Sequence, residues 1–283
     1  MLTVKWEGGI SVMGLIEYLQ TLLSSNIVLY ALIAGVLLSL TAALLGVSLV
    51  LKKFSMIGDG LSHVSFAALS VAVATRHAPL AFSIPIVILA AFFLLRISEN
   101  SKIKGDAAVA VISTASLAIG AIAARGTNVD VESYMFGSVV SITFTDVILT
   151  VAVTLVTLFV YVFCFNRIFA VTFDENYVRA GGGHPSLYNA LLAVLTAVTV
   201  VVGMRLVGAL LISALIVFPA LSSMRLFHSF RRVVISSCVI AVLSFVVSLF
   251  ISLFFDIPTG ATIVLLDLLI FGVASLFLTI RER

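Results

Sequence analysis

The sequence predicts an all-helical integral membrane protein. Of its 283 residues, 62% are hydrophobic and only 10% are charged, and the mean hydropathy is +1.28. A soluble globular domain carries about 25% charged residues, so the chain has no room for a soluble domain. The apolar residues also fall into stretches of roughly 20, which is the length of helix that crosses a bilayer.

Nine stretches meet this length rule, and eight spans remain an alternative because the second stretch is short. Only Met204 and Arg205 separate the sixth from the seventh. The region 27–283 is therefore predicted to be a single transmembrane domain, preceded by an external or interfacial segment, 1–26, with an amphipathic helix over 11–25. The predicted spans are 27–51, 60–75, 79–97, 106–124, 143–165, 187–204, 206–224, 233–255 and 261–280.

The basic residues predict the orientation of these spans. All but four of the sixteen lysines and arginines lie in loops on one side of the nine-span arrangement. Because cytoplasmic loops are rich in lysine and arginine, we expect the N-terminus outside and the C-terminus in the cytoplasm. The net charge of +3 is spread over separate short loops and does not indicate a nucleic-acid partner.

A carboxylate and an imidazole stand four positions apart near the start of the second span, in the run Gly-Asp-Gly-Leu-Ser-His at 58–63. Positions i and i+4 share one helix face, so one divalent cation could contact both Asp59 and His63. Ionisable residues in a span are costly and are functional candidates by default. The alternative is that Asp59 caps the helix and His63 bonds a neighbouring carbonyl.

The ligand chemistry of this pair admits several transition metals. Zinc binds carboxylate oxygen and imidazole nitrogen in sets of four, imidazole also suits iron and nickel, and carboxylate suits manganese. One Asp and one His are half of a tetrahedral set, which a second copy of the chain could complete. Asp267, inside the last span among leucines, is either a second acid on the pathway or a structural aspartate.

A short helix is predicted between the fifth and sixth spans. Asp174 is a typical N-cap residue, and the three glycines at 181–183 are a typical stop signal. Charged and aromatic residues on such a helix suggest a docking surface for another subunit. The chain also lacks the glycine-rich phosphate loop with its lysine, so it is not expected to hydrolyse ATP by itself.

Four motifs in order resemble the permease subunits of bacterial ABC transporters that import zinc, manganese or iron. The resemblance runs from about residue 27 to the end of the chain. One departure is Glu175, where the family usually has proline. The motifs are Lys52-Lys53 with Ser55-Met56-Ile57-Gly58-Asp59-Gly60-Leu61-Ser62-His63, Phe173-Asp174-Glu175 with Arg179-Ala180-Gly181, Arg205-Leu206-Val207-Gly208-Ala209-Leu210-Leu211 with Phe218-Pro219-Ala220, and Asp256-Ile257-Pro258-Thr259-Gly260-Ala261-Thr262.

This resemblance implies a permease like those of type II ABC importers, in the bacterial cytoplasmic membrane. It implies a lipid-embedded homodimer with the ion pathway at or near the dimer interface, two cytoplasmic ATPases and an external metal-binding protein. Asp59 and His63 would be transient ligands of the transported ion, and no resident cofactor is implied. Coupling to the ATPase would fall to Phe173, Asp174, Glu175, Tyr177, Arg179 and Gly181.

Two other functions fit parts of the pattern. A self-sufficient, proton-coupled transporter could use Asp59, His63 and Asp267 as a relay. A permease for a metal chelate such as a siderophore or cobalamin would have a wider pathway and would not need the Asp–His pair. The sequence does not choose between zinc, manganese and iron.

Overall fold

A computed structural model describes residues 25–100, 105–125, 127, 137 and 142–281, and in these ranges the chain forms eleven helices without strands. The predicted all-helical class is confirmed. The helices are α1 (Asn26–Leu51), α2 (Ile57–Ala74), α3 (Pro79–Asn100), α4 (Gly105–Ala124), α5 (Phe144–Phe163), α6 (Phe165–Phe173), α7 (Glu175–Ala180), α8 (Pro185–Val207), α9 (Ala209–Leu226), α10 (Phe230–Phe255) and α11 (Thr259–Arg281).

Each of the nine predicted spans corresponds to one helix. Eight helices in the described ranges are long and apolar enough to cross a membrane, and the ninth, α9, has 18 residues, as does α2. The second helix begins at Ile57 rather than at residue 60. The amphipathic helix predicted over 11–25 lies almost wholly outside the described residues.

The turn between α8 and α9 lies inside the helical bundle. The sequence placed this break at Met204 and Arg205, but the helix runs on to Val207 and the chain folds back at Gly208, whose φ of 92° suits glycine. Met204 and Ala209, on either side of the turn, pack with Phe66 and Leu69 in the second half of α2. The turn is therefore buried deep in the bundle, and α9 starts there.

Hydroxyl pairs fix how α1 and α5 lie together. Thr41 donates to Thr154 at 3.0 Å, and Ser48 and Tyr161 share a hydrogen bond of 3.0 Å two helical turns further along both helices. Because both partners advance in the same direction, α1 and α5 run parallel. This is the arrangement expected of a first and a fifth span that cross alternately.

Close backbone contact holds the central helices. Lipid supplies no hydrophobic drive between helices, so small residues at the contact are favoured. Gly46 of α1 lies against the carbonyl oxygen of Ile216 in α9, and Gly35 lies under the ring of Phe245 in α10. A side chain at either glycine would meet these atoms, so α1 is the helix around which α9 and α10 close.

The predicted short helix is present as α7, with both of its predicted boundary signals. The Asp174 side chain caps it by accepting a hydrogen bond of 2.9 Å from the N–H of Tyr177. At the other end Gly182 has a φ of 76°, and the N–H of Gly183 donates to the carbonyl of Val178 at 2.9 Å. These bonds satisfy helix-end carbonyls and define a firm stop.

We expect Gly182→Ala to loosen the end of α7. A left-handed conformation costs an L-residue about 1 kcal/mol or more, and since nothing lies within 4 Å of a Cβ there, the effect isolates backbone strain. Hydrogen exchange over 174–184 should become roughly fivefold faster. Gly181→Ala is the matched control, because Gly181 has a φ of −80°. Equal effects of the two substitutions would contradict this account.

Candidate functional site

Asp59 and His63 lie together on α2, as their spacing predicted. The Nε2 atom of His63 is 3.6 Å from Oδ1 of Asp59, and the side chains are 7% and 31% exposed, respectively. This separation is too long for a hydrogen bond. It does match the edge of a tetrahedral zinc site, where ligands at roughly 2.1 Å from the ion stand about 3.4 Å apart.

Two glycines fix the surroundings of Asp59. A Cβ at Gly58 would lie 3.2 Å from Cδ1 of Ile216 in α9, and one at Gly60 would lie 3.0 Å from Cγ1 of Val109 in α4. The start of α2 is thus wedged between α9 and α4, with Asp59 on the face between the two contacts. Asp59 is in the first turn of the helix, where the helix dipole favours a negative charge.

The contacts of Asp59 and His63 differ from those expected if Asp59 capped the helix and His63 bonded a neighbouring carbonyl. The N-cap of α2 is Met56, which makes no side-chain cap, and Ser62 donates to the carbonyl of Asp59 at 2.7 Å. The Nδ1 atom of His63 is buried and has no hydrogen-bond partner in the described part of the chain. His63 therefore presents Nε2 toward the partly exposed Asp59 carboxylate, an arrangement in which both groups can take up one ligand.

An apolar cluster lies one turn beyond His63. Phe66 is 2% exposed and packs with Leu69, Leu117, Met204 and Ala209. A Cβ at Gly120 would lie 2.5 Å from the Phe66 ring, so the ring rests directly on the backbone of α4. Hydrocarbon therefore packs directly beyond His63, at the Phe66 turn of α2.

Asp267 is not part of this pair. It is almost completely buried on α11, where it faces Ser244 of α10. Within the described ranges, no three His, Cys, Asp or Glu side chains are grouped closely enough to hold a metal ion. The predicted second pathway acid thus lies apart from Asp59 and His63.

The predicted docking residues form an exposed surface on and beside α7. Phe173 and Tyr177 are large apolar side chains in water-accessible positions, and Val178 anchors the helix on its buried side. Among the predicted set, only Glu175 turns partly inward. The exposed members are Phe173, Asp174, Tyr177, Arg179 and Gly181.

Glu175 belongs to a polar triangle that the sequence analysis missed. The Nζ atom of Lys52, at the end of α1, is 2.5 Å from Oε1 of Glu175 and 2.6 Å from Oδ1 of Asn189 in α8. Asn189 in turn donates to Glu175 at 3.0 Å. The available signal was Asn189 itself, an amide in an otherwise apolar span.

This triangle shifts the pKa of Glu175. Partial burial alone would raise that pKa, but the hydrogen bonds from Lys52 and Asn189 and the charges of Lys52 and Arg179 outweigh it. The net result is a pKa below the ordinary value of 4.5. Glu175 is therefore a stable anion that balances the buried ammonium of Lys52.

A second ion pair was also missed. Arg205, near the turn between α8 and α9, is 2.6 Å from Asp146, whose side chain is buried at the start of α5. Thr143 and Asp146 form a capping box, in which Thr143 donates to the carboxylate at 2.6 Å. The pair ties α5 to the turn, and no spacing in the sequence connects its two residues.

Comparisons with known proteins agree with this fold. The chain is 27% identical to the high-affinity zinc uptake system membrane protein ZnuB of Haemophilus influenzae over 256 residues, 89% of this chain and 97% of that protein. It is 25% identical to the manganese transport system membrane protein MntC of Halalkalibacterium halodurans, covering 92% and 90% of the two chains. The solved structure of PsaBC from Streptococcus pneumoniae in complex with Fab matches with a TM-score of 0.84 and 25% identity, covering 94% of this chain and 99% of that one.

The fold and these matches define a multi-pass permease subunit of an ABC transporter, which is a transport component and not an enzyme. The chain belongs to the ABC 3 transport family, which matches over residues 24–278. ATP hydrolysis is therefore the work of a separate ATPase subunit, and the resemblance found in the sequence is confirmed. The alternative of a self-sufficient, proton-coupled transporter does not agree with this membership.

The lowered pKa of Glu175 predicts acid sensitivity. The folded state holds Glu175 deprotonated, and unfolding returns its pKa to the ordinary value, so the unfolded chain binds more protons. The stability from this group is present above pH 4.5 and is lost as the pH falls through the lowered pKa. Thermal unfolding of the wild type and of Glu175→Gln should therefore differ at pH 7 and converge in acid. A difference that is independent of pH would contradict the assignment.

Proposed function

We propose that this permease imports a divalent transition metal ion, held in transit by Asp59 and His63. Zinc and manganese are the first candidates and iron is the third. The observation that carries the proposal is the Asp59–His63 pair, with ligand atoms 3.6 Å apart on one helix face. Relatives named for zinc uptake and for manganese transport support the cargo class.

The two side chains divide the chemistry of ion binding. Asp59 supplies a negative charge that offsets part of the charge of the ion, and its partial exposure leaves it open to an arriving cation. His63 supplies a nitrogen donor, which favours transition metals over calcium and magnesium. A bare ion needs ligands from the protein, whereas the metal in a chelate is already coordinated by the chelator. The pair therefore favours a bare ion as the cargo.

The working unit is a homodimer with the pathway at or near the interface between its subunits. One chain contributes two ligands in the described ranges, whereas zinc prefers four. Two copies of the pair would supply four ligands when the subunits approach and fewer when they separate. An adjustable ligand set of this kind binds the ion and still releases it.

ATP drives the transport cycle through partner subunits. Two cytoplasmic ATPases dock on α7, where Phe173, Tyr177 and Arg179 are exposed. An external metal-binding protein delivers the ion, and alternating access carries it across the bacterial cytoplasmic membrane. In this orientation the N-terminus is outside and the C-terminus is in the cytoplasm.

Uptake of radiolabelled zinc and manganese into proteoliposomes tests the proposal. The permease is reconstituted with its ATPase and metal-binding protein, as the wild type, Asp59→Asn and His63→Ala. We expect ATP-dependent uptake to fall by roughly tenfold or more in both variants, since a factor of ten corresponds to about 1.4 kcal/mol of binding. Thermal unfolding should change little.

Ser62→Ala is the matched control on the same helix. Its hydroxyl bonds the backbone of its own turn, so uptake should stay close to that of the wild type. Wild-type uptake by both Asp59→Asn and His63→Ala would remove the pair from the pathway. Uptake by the permease alone, driven by a pH gradient, would overturn the ATP-driven mechanism.

A further inference from the structure

We propose that the triangle of Lys52, Glu175 and Asn189 links the movement of α7 to the helix that carries Asp59 and His63. The proposal rests on the proposed function, because it takes α7 as the ATPase-docking helix and Asp59–His63 as the ion site. On this basis Lys52 and Glu175 are positioning residues. Neither the exposure nor the charge of either residue alone indicates this role.

The triangle runs from the surface of the protein into its interior. Glu175 is the first residue of α7 and its side chain is 35% exposed, whereas the Lys52 side chain is only 5% exposed and Asn189 is buried. Each of the three side chains bonds both of the others. A displacement of α7 therefore reaches the end of α1 through direct polar contacts.

Buried charge makes the link stiff. An ammonium removed from water needs a compensating anion, and leaving it without one is strongly destabilising. Glu175 supplies that anion for Lys52. The ammonium is thus held to the carboxylate, and Lys52 follows Glu175 when α7 moves.

The backbone after Lys52 leads directly to the ion site. Lys53 is in the left-handed conformation with a φ of 63°, and the N–H of Phe54 donates to the carbonyl of Leu49 at 2.8 Å. The N–H of Ile57, the first residue of α2, donates to the carbonyl of Phe54 at 3.0 Å. These bonds close the connection into a tight turn, so a shift of Lys52 is passed to α2, where Asp59 is the third residue.

A small cavity lies beside the triangle. Lys52, Phe54 and Ile57 line it on the side of the connection, and Leu95, Leu192 and Thr196 line it on the side of α3 and α8. The cavity thus lies where the triangle, the connection and the first turn of α2 meet.

The position of Glu175 is favourable for a test. It is the first residue of α7, and the first helical position tolerates proline well. Glu175→Pro therefore removes the carboxylate while keeping the start of the helix.

The test measures metal imported per ATP hydrolysed, in proteoliposomes that contain the complete transporter. Glu175→Gln and Glu175→Pro should still assemble and hydrolyse ATP, but the ratio should fall about threefold or more. Such a fall corresponds to a partial loss of the coupling between ATP hydrolysis and metal import. The exchanged pair, Lys52→Glu with Glu175→Lys, should restore more than half of the wild-type ratio. Restoration by exchange is a result that a purely structural role of either residue would not produce.

Asp146→Asn is the matched control. It breaks the other ion pair, with Arg205, and should lower thermal stability without changing the ratio. A wild-type ratio in both Glu175 variants would overturn the proposal, and so would an exchanged pair as poorly coupled as the single variants. Failure of the wild type to import metal with ATP would instead refute the proposed function.

Discussion

The cost of placing charge in a hydrocarbon environment governs this structure. Lys52 is balanced by Glu175, and Arg205 is balanced by Asp146, each at hydrogen-bond distance. Both pairs lie where helices end or turn, and they fasten those ends to neighbouring helices. The Asp59–His63 pair differs from them, because its two side chains are near each other without being bonded. Unsatisfied polar groups of this kind persist in membrane proteins where they serve function.

Close packing gives that pair a fixed place. No hydrophobic force draws helices together in lipid, so the bundle depends on surfaces that fit. Gly46 lets α9 meet α1, and Gly58 and Gly60 let α9 and α4 meet α2 on either side of Asp59. The helix turn that carries the carboxylate is consequently held by the packing of Ile216 and Val109 against these glycines. The carboxylate oxygens remain available for a ligand.

The elements that depend on local sequence were predictable. Apolar length gave the nine spans, helical spacing gave the Asp59–His63 face, and cap and stop residues gave α7. The turn at Gly208 was misplaced, because Arg205 looks like a polar break between two apolar stretches of the sequence. In the structure Arg205 remains helical, since Asp146 neutralises it from a distant part of the chain.

The polar triangle could not be found from spacing for the same reason. Lys52, Glu175 and Asn189 lie on three elements, separated by more than a hundred residues between the first and the other two. Position in the sequence shows only that each is a polar group near the end of an apolar span. Which groups meet is decided by how α1, α7 and α8 pack, and long-range packing leaves no periodic pattern.

An ion pathway needs ligands that hold and then let go, and the proposed pair on α2 would meet both needs. Two ligands on one helix bind weakly alone, unlike the closed four-ligand set of a structural zinc site. Affinity therefore depends on what a second set of ligands contributes and on where the first turn of α2 lies. That turn is joined through four residues to Lys52 and through Lys52 to α7. Under the proposed coupling, the affinity for the ion would change when α7 moves, which is the property that an ATP-driven permease requires.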